Sequence, residues 1–543
     1  MAASVPIARL LRQTAFSAAD CQSALLGERL PENLGNQVVQ LCLISGIRQH
    51  IDFARSAAVA GLCRAGAGGA IFARARNARL IMSGEVPSRE LMPDRGTFPY
   101  CVWYPDVASE DTYRKLVATF PDMRYQVGRA CAVAGYARLY GELDLLPDPS
   151  IAEEAREAGK SVEGSRQIFE RIIAAPARYS VMNDYNLTVQ LDNPVAGAFL
   201  NADTAVRATL EGRKKFVDCF APWRYFNITE DWGIGLETTP VAPPAQLTDE
   251  ETALLESPLP RDLPTMRKDL LILAAAYEGN LDRYARLRRP GRSVLYELHC
   301  LVPGVYRSTA LALWLGRNPD VAEVVAAAWD GDAAVLRKAI HARHVMNNDT
   351  RRLLNADPPV PDDDLPYWIW YPTVPSAHTL CELARARKAM RPQCARACIA
   401  GGYRRGYVKI MDMDDHDADD DDEFALAADP LLAKEAESSP DRDFFIKDMQ
   451  RRREERGLKM RRIPPHDRWK GSIPWRVGDT ASTVLYGGLV DGGSCVVHEG
   501  QDWGMWEDLG AELGRVRLYL SSPAEERAKA VEAGGAVILE DHT

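Results

Sequence analysis

The side chains with the most chemical capacity come as two copies of one aromatic cluster. Tyr100, Trp103 and Tyr104 lie between Pro99 and Pro105, and Tyr367, Trp370 and Tyr371 lie between Pro366 and Pro372. Phenol and indole groups beside prolines can line a pocket and hydrogen-bond a small ligand. The same groups can wedge between adjacent helices and fix their spacing, and this structural reading is preferred. Arginines follow both clusters, Arg129 and Arg138 after the first, Arg396 and Arg405 after the second. A guanidinium there suits a buried ion pair or a ligand contact equally well. The candidate binding surface is therefore Tyr100, Trp103, Tyr104, Tyr367, Trp370, Tyr371, Arg138 and Arg405.

Other constellations fall short of a catalytic or cofactor site. Gly159-Lys160-Ser161 approaches a phosphate-cradling loop, but Glu154 occupies the place of its first glycine. Gly66 to Gly69 lies in alanine-rich helical sequence, without the strand and the later acid of a dinucleotide fold. Ser494 and Cys495, with His498 nearby, lack the strand-to-helix turn that exposes a nucleophile. Cys394 and Cys398 stand one helical turn apart, yet no second Cys/His pair completes a zinc site, so core packing accounts for them better. The run from Asp412 to Glu423 holds eight aspartates. As a calcium loop it would place Glu423 twelfth, but Asp417 stands where the turn glycine belongs. The run reads instead as a self-repelling, disordered insertion, and no catalytic residue, cofactor or metal ligand is assigned.

Positioning these residues is the task of a tandem duplication. At one fixed offset Pro99 to Tyr140 overlies Pro366 to Tyr407, with about nineteen identities in roughly forty-two positions, far above chance. The matches include Leu116 with Leu383, Met123 with Met390, Gln126 with Gln393, Arg129 with Arg396, Cys131 with Cys398, Gly135 with Gly402 and Arg138 with Arg405. A small shift extends the likeness upstream. Ala78 to Met82 meets Ala342 to Met346, Cys42 meets Cys300 and Gly46 meets Gly304, so the module begins near residues 40 and 298. Downstream the likeness fades, with Asp231-Trp-Gly and Asp502-Trp-Gly as candidate ends. Ala177 to Asp184 resembles Ala342 to Asp349 and suggests a shorter period nested in the longer one.

Two stretches indicate the repeated unit. Leu271 to Asn280 and Val324 to Asp332 each run through small alanines to a glycine, and an apolar helical pattern follows. A helix ending in small residues, a glycine turn and a second helix carrying Leu281, Tyr284 and Leu287 form a closely packed hairpin. Here the sequence resembles ankyrin repeats, and more particularly the divergent ankyrin-like proteins of filamentous fungi. It departs from the consensus in lacking a Thr-Pro-Leu-His opening and a steady repeat length. The resemblance implies a mainly α fold, a duplicated α-solenoid of ankyrin-like helix-turn-helix repeats, and the Gly-rich turns over Ser482 to His498 with the alternation over Arg515 to Leu520 add a small mixed α/β cap at the C-terminal end.

The expected domains are a first helical module over 1–239, a Pro-rich linker over 240–264, a second module over 265–475 carrying the acidic insertion 412–423, and a mixed α/β region over 476–543. Arg451, Arg452, Arg453, Arg456, Lys459, Arg461 and Arg462 form a basic run. It reads as a solvated helix balanced by Glu454 and Glu455 and paired with the acidic run, in preference to a nuclear-import or phosphate site.

A chain of 543 residues exceeds one core. Its net charge of -10 argues against nucleic acid as partner, and no apolar run is long enough to span a membrane. Eleven cysteines without a C-x-x-C pair suit a reducing, cytoplasmic compartment. The nucleus is the alternative. The first nineteen residues, with Arg9 and Arg12, read as an amphipathic helix rather than a mitochondrial transit peptide. The resulting expectation is a noncatalytic scaffold with a protein partner. An accessory enzyme or accessory protein of fungal secondary-metabolite biosynthesis, acting on a small apolar metabolite, is the alternative.

Overall fold

The computed structural model describes residues 17–202 and 253–460, apart from 36, 65, 185–186, 256, 267, 290–292, 295–296, 328–332, 367, 371, 417–424 and 438. The chain divides into two compact units, 1–268 with 289–293, and 269–288 with 294–543. Both are mainly helical, as expected. The expected amphipathic N-terminal helix, the candidate module ends at Asp231 and Asp502, and the mixed region over 476–543 lie outside the described residues.

The first unit opens with α1 (Ala18–Leu25), α2 (Gln37–Gln49), α3 (Ile51–Arg55), α4 (Ala57–Cys63) and α5 (Ala70–Met82). The extended aromatic segment follows. Then come α6 (Glu110–Thr119), α7 (Arg124–Ala134), α8 (Ala137–Glu142), α9 (Pro149–Ala158) and α10 (Glu163–Ile173). Two short antiparallel pairs close the unit: β1 (Tyr179–Ser180) with β4 (Val195–Ala196), and β2 (Met182–Asn183) with β3 (Thr188–Val189). Side chains of α2 and its neighbours, among them Leu41, Leu43, Ile44 and Phe53, form one core. A second gathers around α7 and α9 and includes Tyr100, Trp103, Tyr113 and Ile151.

The second unit runs through α11 (Asp269–Glu278), α12 (Leu281–Leu287), α13 (Glu297–Arg307), α14 (Thr309–Arg317), α15 (Pro319–Ala327), α16 (Ala334–Met346) and α17 (Arg351–Leu354). It continues with α18 (Ala377–Ala386), α19 (Arg391–Ala400), α20 (Arg404–His416), α21 (Pro430–Glu437) and α22 (Arg442–Arg456). The expected hairpin is present: Gly279 takes φ +71 after α11, and the Asn280 side chain accepts the Arg283 N–H to cap α12. Left-handed backbone without a Cβ penalty is what glycine supplies at a helix end.

The sequence match corresponds to equivalent local structure. Ser109 and Ser376 cap α6 and α18 through the backbone N–H of Thr112 and Thr379, at 3.2 Å in both. Gly135 and Gly402 both take left-handed conformations before α8 and α20. Upstream, a Cβ at Gly46 would overlap the Ala24 carbonyl, and a Cβ at Gly304 would overlap the Ala276 carbonyl. The same close helix approach therefore begins the module at α1 and α11, earlier in the chain than the sequence match reached.

Three expectations are revised and one is met. The nested period fails, because 177–184 forms the short strands β1 and β2 whereas Ala342 to Met346 is the end of helix α16. The acidic run is folded at its start: α20 extends to His416, Asp412 accepts from Arg452 at 2.8 Å, and Asp414 accepts the Leu426 N–H at 2.9 Å. The guanidinium neutralises Asp412 and the backbone N–H stabilises the Asp414 carboxylate, which offsets self-repulsion at these two positions. Residues 417–424 lie outside the described set. The end of the Pro-rich stretch is bonded into the first unit, where Asp262 takes a bidentate Arg178 at 2.7 and 2.8 Å and the Leu263 carbonyl accepts from Arg156 at 2.7 Å. The basic run does pair with the acidic one, since the buried Arg452 joins α22 to Asp412 of α20.

Alanine ordinarily improves a helix over glycine by about 1 kcal/mol. At Gly46 and Gly304 the facing carbonyl reverses the sign, and Gly46→Ala or Gly304→Ala is expected to destabilise by about 1–3 kcal/mol through overpacking. Chemical denaturation checks this, and a stabilised variant would show that the helices do not approach so closely.

Candidate functional site

The first aromatic motif enters the core as extended backbone, with Tyr100 and Trp103 each 3% exposed. Its organising partner is Arg129 on α7, which is fully buried. The Arg129 guanidinium donates to both carboxylate oxygens of Asp184, from Nη2 at 2.8 Å, and from Nη2 to Glu154 at 3.1 Å. It also lies 4.8 Å from the centre of the Trp103 ring, within cation–π range. The Tyr100 hydroxyl donates to Asp184. Burial first, and then the Asp184 charge, push the Tyr100 hydroxyl well above its ordinary pKa, so it remains a donor.

Two supports hold the carboxylates. Glu154 sits on α9, whose N-cap is Asp148. Asp148 accepts the Ile151 N–H at 3.1 Å with one oxygen, and with the other the Val181 and Met182 N–H groups at 2.8 and 2.9 Å. One carboxylate thus starts a helix and pins the strand segment that carries Asp184. Burial raises the Asp148 pKa to about 6, against the lowering effect of those three N–H donors.

The second unit repeats the indole and glutamate of this arrangement. Arg396 on α19 lies 5.0 Å from the centre of the Trp370 ring and donates through Nε to Glu435 at 2.9 Å. Arg396 and Glu435 are buried. Glu435 belongs to Asp429-Pro430-Leu-Leu-Ala-Lys-Glu435-Ala436, the counterpart of Asp148-Pro149-Ser-Ile-Ala-Glu-Glu154-Ala155. Sequence matching at a fixed offset missed this pair because the acidic insertion lies between Arg396 and Glu435. The signal was present as Asp-Pro-x-x-Ala-x-Glu-Ala, written twice.

The other candidates separate from this centre. Tyr104 is half-buried, and its carbonyl accepts from the buried Arg48 at 2.7 Å. Tyr367 and Tyr371 lie outside the described residues. Arg138 and Arg405 are exposed at the starts of α8 and α20, where Arg138 pairs with Glu142 at 3.3 Å. In each unit, therefore, the buried aromatics of the candidate surface, Tyr100 and Trp103 or Trp370, and its exposed arginine, Arg138 or Arg405, do not form one surface. Cys394 and Cys398 are buried thiols whose pKa values burial raises, as core packing requires. Among the described residues no group of His, Cys, Asp or Glu is placed to hold a metal ion, and no helix is long and apolar enough to cross a membrane.

A second titratable group stands apart on α16. Burial lowers the His341 pKa to about 4, helped by Arg352, His344 and Arg337 and opposed by Asp364. The corresponding residue of the first unit is Asn77, which donates to the Leu91 and Thr97 carbonyls at 3.1 Å.

A family model described as the YKP1 C-terminal domain matches residues 103–209. The matched segment begins at Trp103 and includes Arg129, Glu154 and Asp184. No curated protein and no solved structure matches the chain.

Arginine cannot shed its charge, so Arg129→Met would leave Asp184 and Glu154 buried without it, at a cost of about 3–5 kcal/mol. Arg396→Met acts likewise on Glu435, and the Arg396→Met/Glu435→Leu double variant is expected to lose less than the two single losses combined. Equilibrium unfolding measures both, and wild-type stability in either arginine variant would remove the structural role. His341 works in the opposite direction to a paired histidine. Its folded pKa lies below the unfolded 6.5, so its contribution is complete above about 6.5 and is lost as the pH falls toward 4. Asn in its place should flatten that part of the pH–stability curve, and an unchanged curve would count against a buried neutral imidazole.

Proposed function

We propose that this chain is a noncatalytic interaction or scaffold protein, built from two ankyrin-like helical units and related to the divergent ankyrin-like proteins of filamentous fungi. The observation that carries the reading is the use made of the repeated residues. Tyr100, Trp103, Arg129, Cys131 and Tyr140, with Trp370, Arg396, Cys398 and Tyr407, are buried in their units. A buried guanidinium, held by carboxylate under an indole ring, stays protonated and cannot serve as a general acid or base, so the shared motif serves packing. Function then falls to surfaces, as is usual where helical pairs present side chains without acid–base machinery. The hairpin of α11 and α12, turned at Gly279, favours the ankyrin-like stacking. Nine free thiols among the described residues suit a reducing, cytoplasmic compartment.

Affinity capture of the intact chain from its native cell extract tests the proposal. The expected result is a protein that co-purifies with the wild-type chain and survives salt washing. Conversion of a small metabolite by the purified chain, with no protein captured, would replace the scaffold by an enzyme.

A further inference from the structure

Where the two units diverge, one surface changes sign. In the first unit, α6 and α8 carry a closed ionic network. Arg114 pairs with Glu110 at 2.6 Å, Asp111 at 2.9 Å and Glu142 at 3.0 Å, and Arg138 pairs with Glu142 at 3.3 Å. Each of its three acids is absent from the matching positions on α18 and α20. Glu110 becomes Ala377, Asp111 becomes His378 and Glu142 becomes Lys409, while Ala118 becomes Arg385. Arg138 alone persists, as Arg405.

The replacements converge. Arg405 and Lys409 lie one turn apart on α20, and the intervening Gly406 carbonyl accepts the Cys381 thiol of α18 at 3.7 Å. Arg385 lies one turn beyond Cys381 on α18, and both Arg385 and Lys409 act electrostatically on that thiol. Arg385, Arg405 and Lys409 are all exposed, and among the described residues none of them makes an ion pair. The one acid of α18, Glu382, faces His378 at 3.7 Å. A position one residue into a helix gains nothing from a cation, because the helix dipole disfavours positive charge there.

We propose that this α18–α20 face of the second unit binds an acidic segment of a partner protein. The proposal rests on the interaction reading above and names the chemistry of its partner. Three guanidinium and ammonium groups without an ion pair among the described residues, on two packed helices, match clustered carboxylates, and the first unit, with Ala118, Arg138 and Glu142 at the same positions and Arg138 already paired to Glu142, offers no such site. The chain's overall charge of -10 restricts attraction of an anion to such a local patch.

Fluorescence anisotropy of the full chain with a labelled polyglutamate peptide tests it. Saturable binding is expected, weakened by salt. Arg385→Glu/Arg405→Glu/Lys409→Glu should weaken it by about tenfold or more, as loss of three exposed pairs implies. The neutral Arg385→Ser/Arg405→Ser/Lys409→Ser variant should show a smaller loss, and Arg138→Glu none. Circular dichroism checks that the variants are folded, which exposed side chains allow. Absent wild-type binding, or equal binding by the Glu variant, overturns the proposal. So does tighter binding of poly(dT) that the Glu variant abolishes, which would make the face a nucleic-acid surface. The broader interaction reading fails separately, by the absence of any captured partner with the wild-type chain.

Discussion

A guanidinium without water must be surrounded by its own counter-charges, and much of the first unit is arranged to meet that requirement at Arg129. Its charge persists at any pH the fold survives. Asp184, Glu154 and the face of Trp103 therefore have to arrive together. The aromatic segment, α7, α9 and the strands after α10 are placed by that need. Asp148 links the last two, because its carboxylate both caps α9 and holds the Val181 and Met182 amides. The second unit solves the same problem at Arg396 with Trp370 and Glu435.

This arrangement explains what a repeated motif can and cannot indicate. Tyrosine, tryptophan and arginine are residues of binding sites, but they are also residues that can bury a charge with its partners satisfied. Depth distinguishes the two uses. Arg129 and Arg396 lie in the interior, while Arg138 and Arg405, matched equally well in sequence, lie on the surface. The interior pair keeps its indole and its glutamate in both units. Around the exposed pair the charges change freely, because solvent tolerates either sign and packing imposes no constraint.

Local signals in the chain were sufficient for several elements. Gly279 marks the turn after α11 by allowing a left-handed backbone, and Gly135 and Gly402, matched between the copies, do the same before α8 and α20. Resemblance between short segments was a weaker guide. Ala177 to Asp184 and Ala342 to Asp349 share residues but not structure, since the first forms strands and most of the second completes a helix. Few residues bias so short a segment strongly, and its neighbours decide its conformation. Charge density misled in a similar way at Asp412 and Asp414, whose repulsion is relieved by a guanidinium far along the chain and by a backbone amide.

By itself the sequence determined the duplication, the mainly helical character, the glycine turn after α11, and the residues that both copies retain. These follow from short-range chemistry: glycine freedom and the spacing of apolar side chains. Only the tertiary structure decided which arginine is buried, that Glu154 and Glu435 are the carboxylates that meet it, and that α18 and α20 bring Arg385, Arg405 and Lys409 onto one face. Those outcomes depend on contacts between residues distant in the chain, and burial and charge compensation are properties of the assembled surroundings rather than of any residue alone.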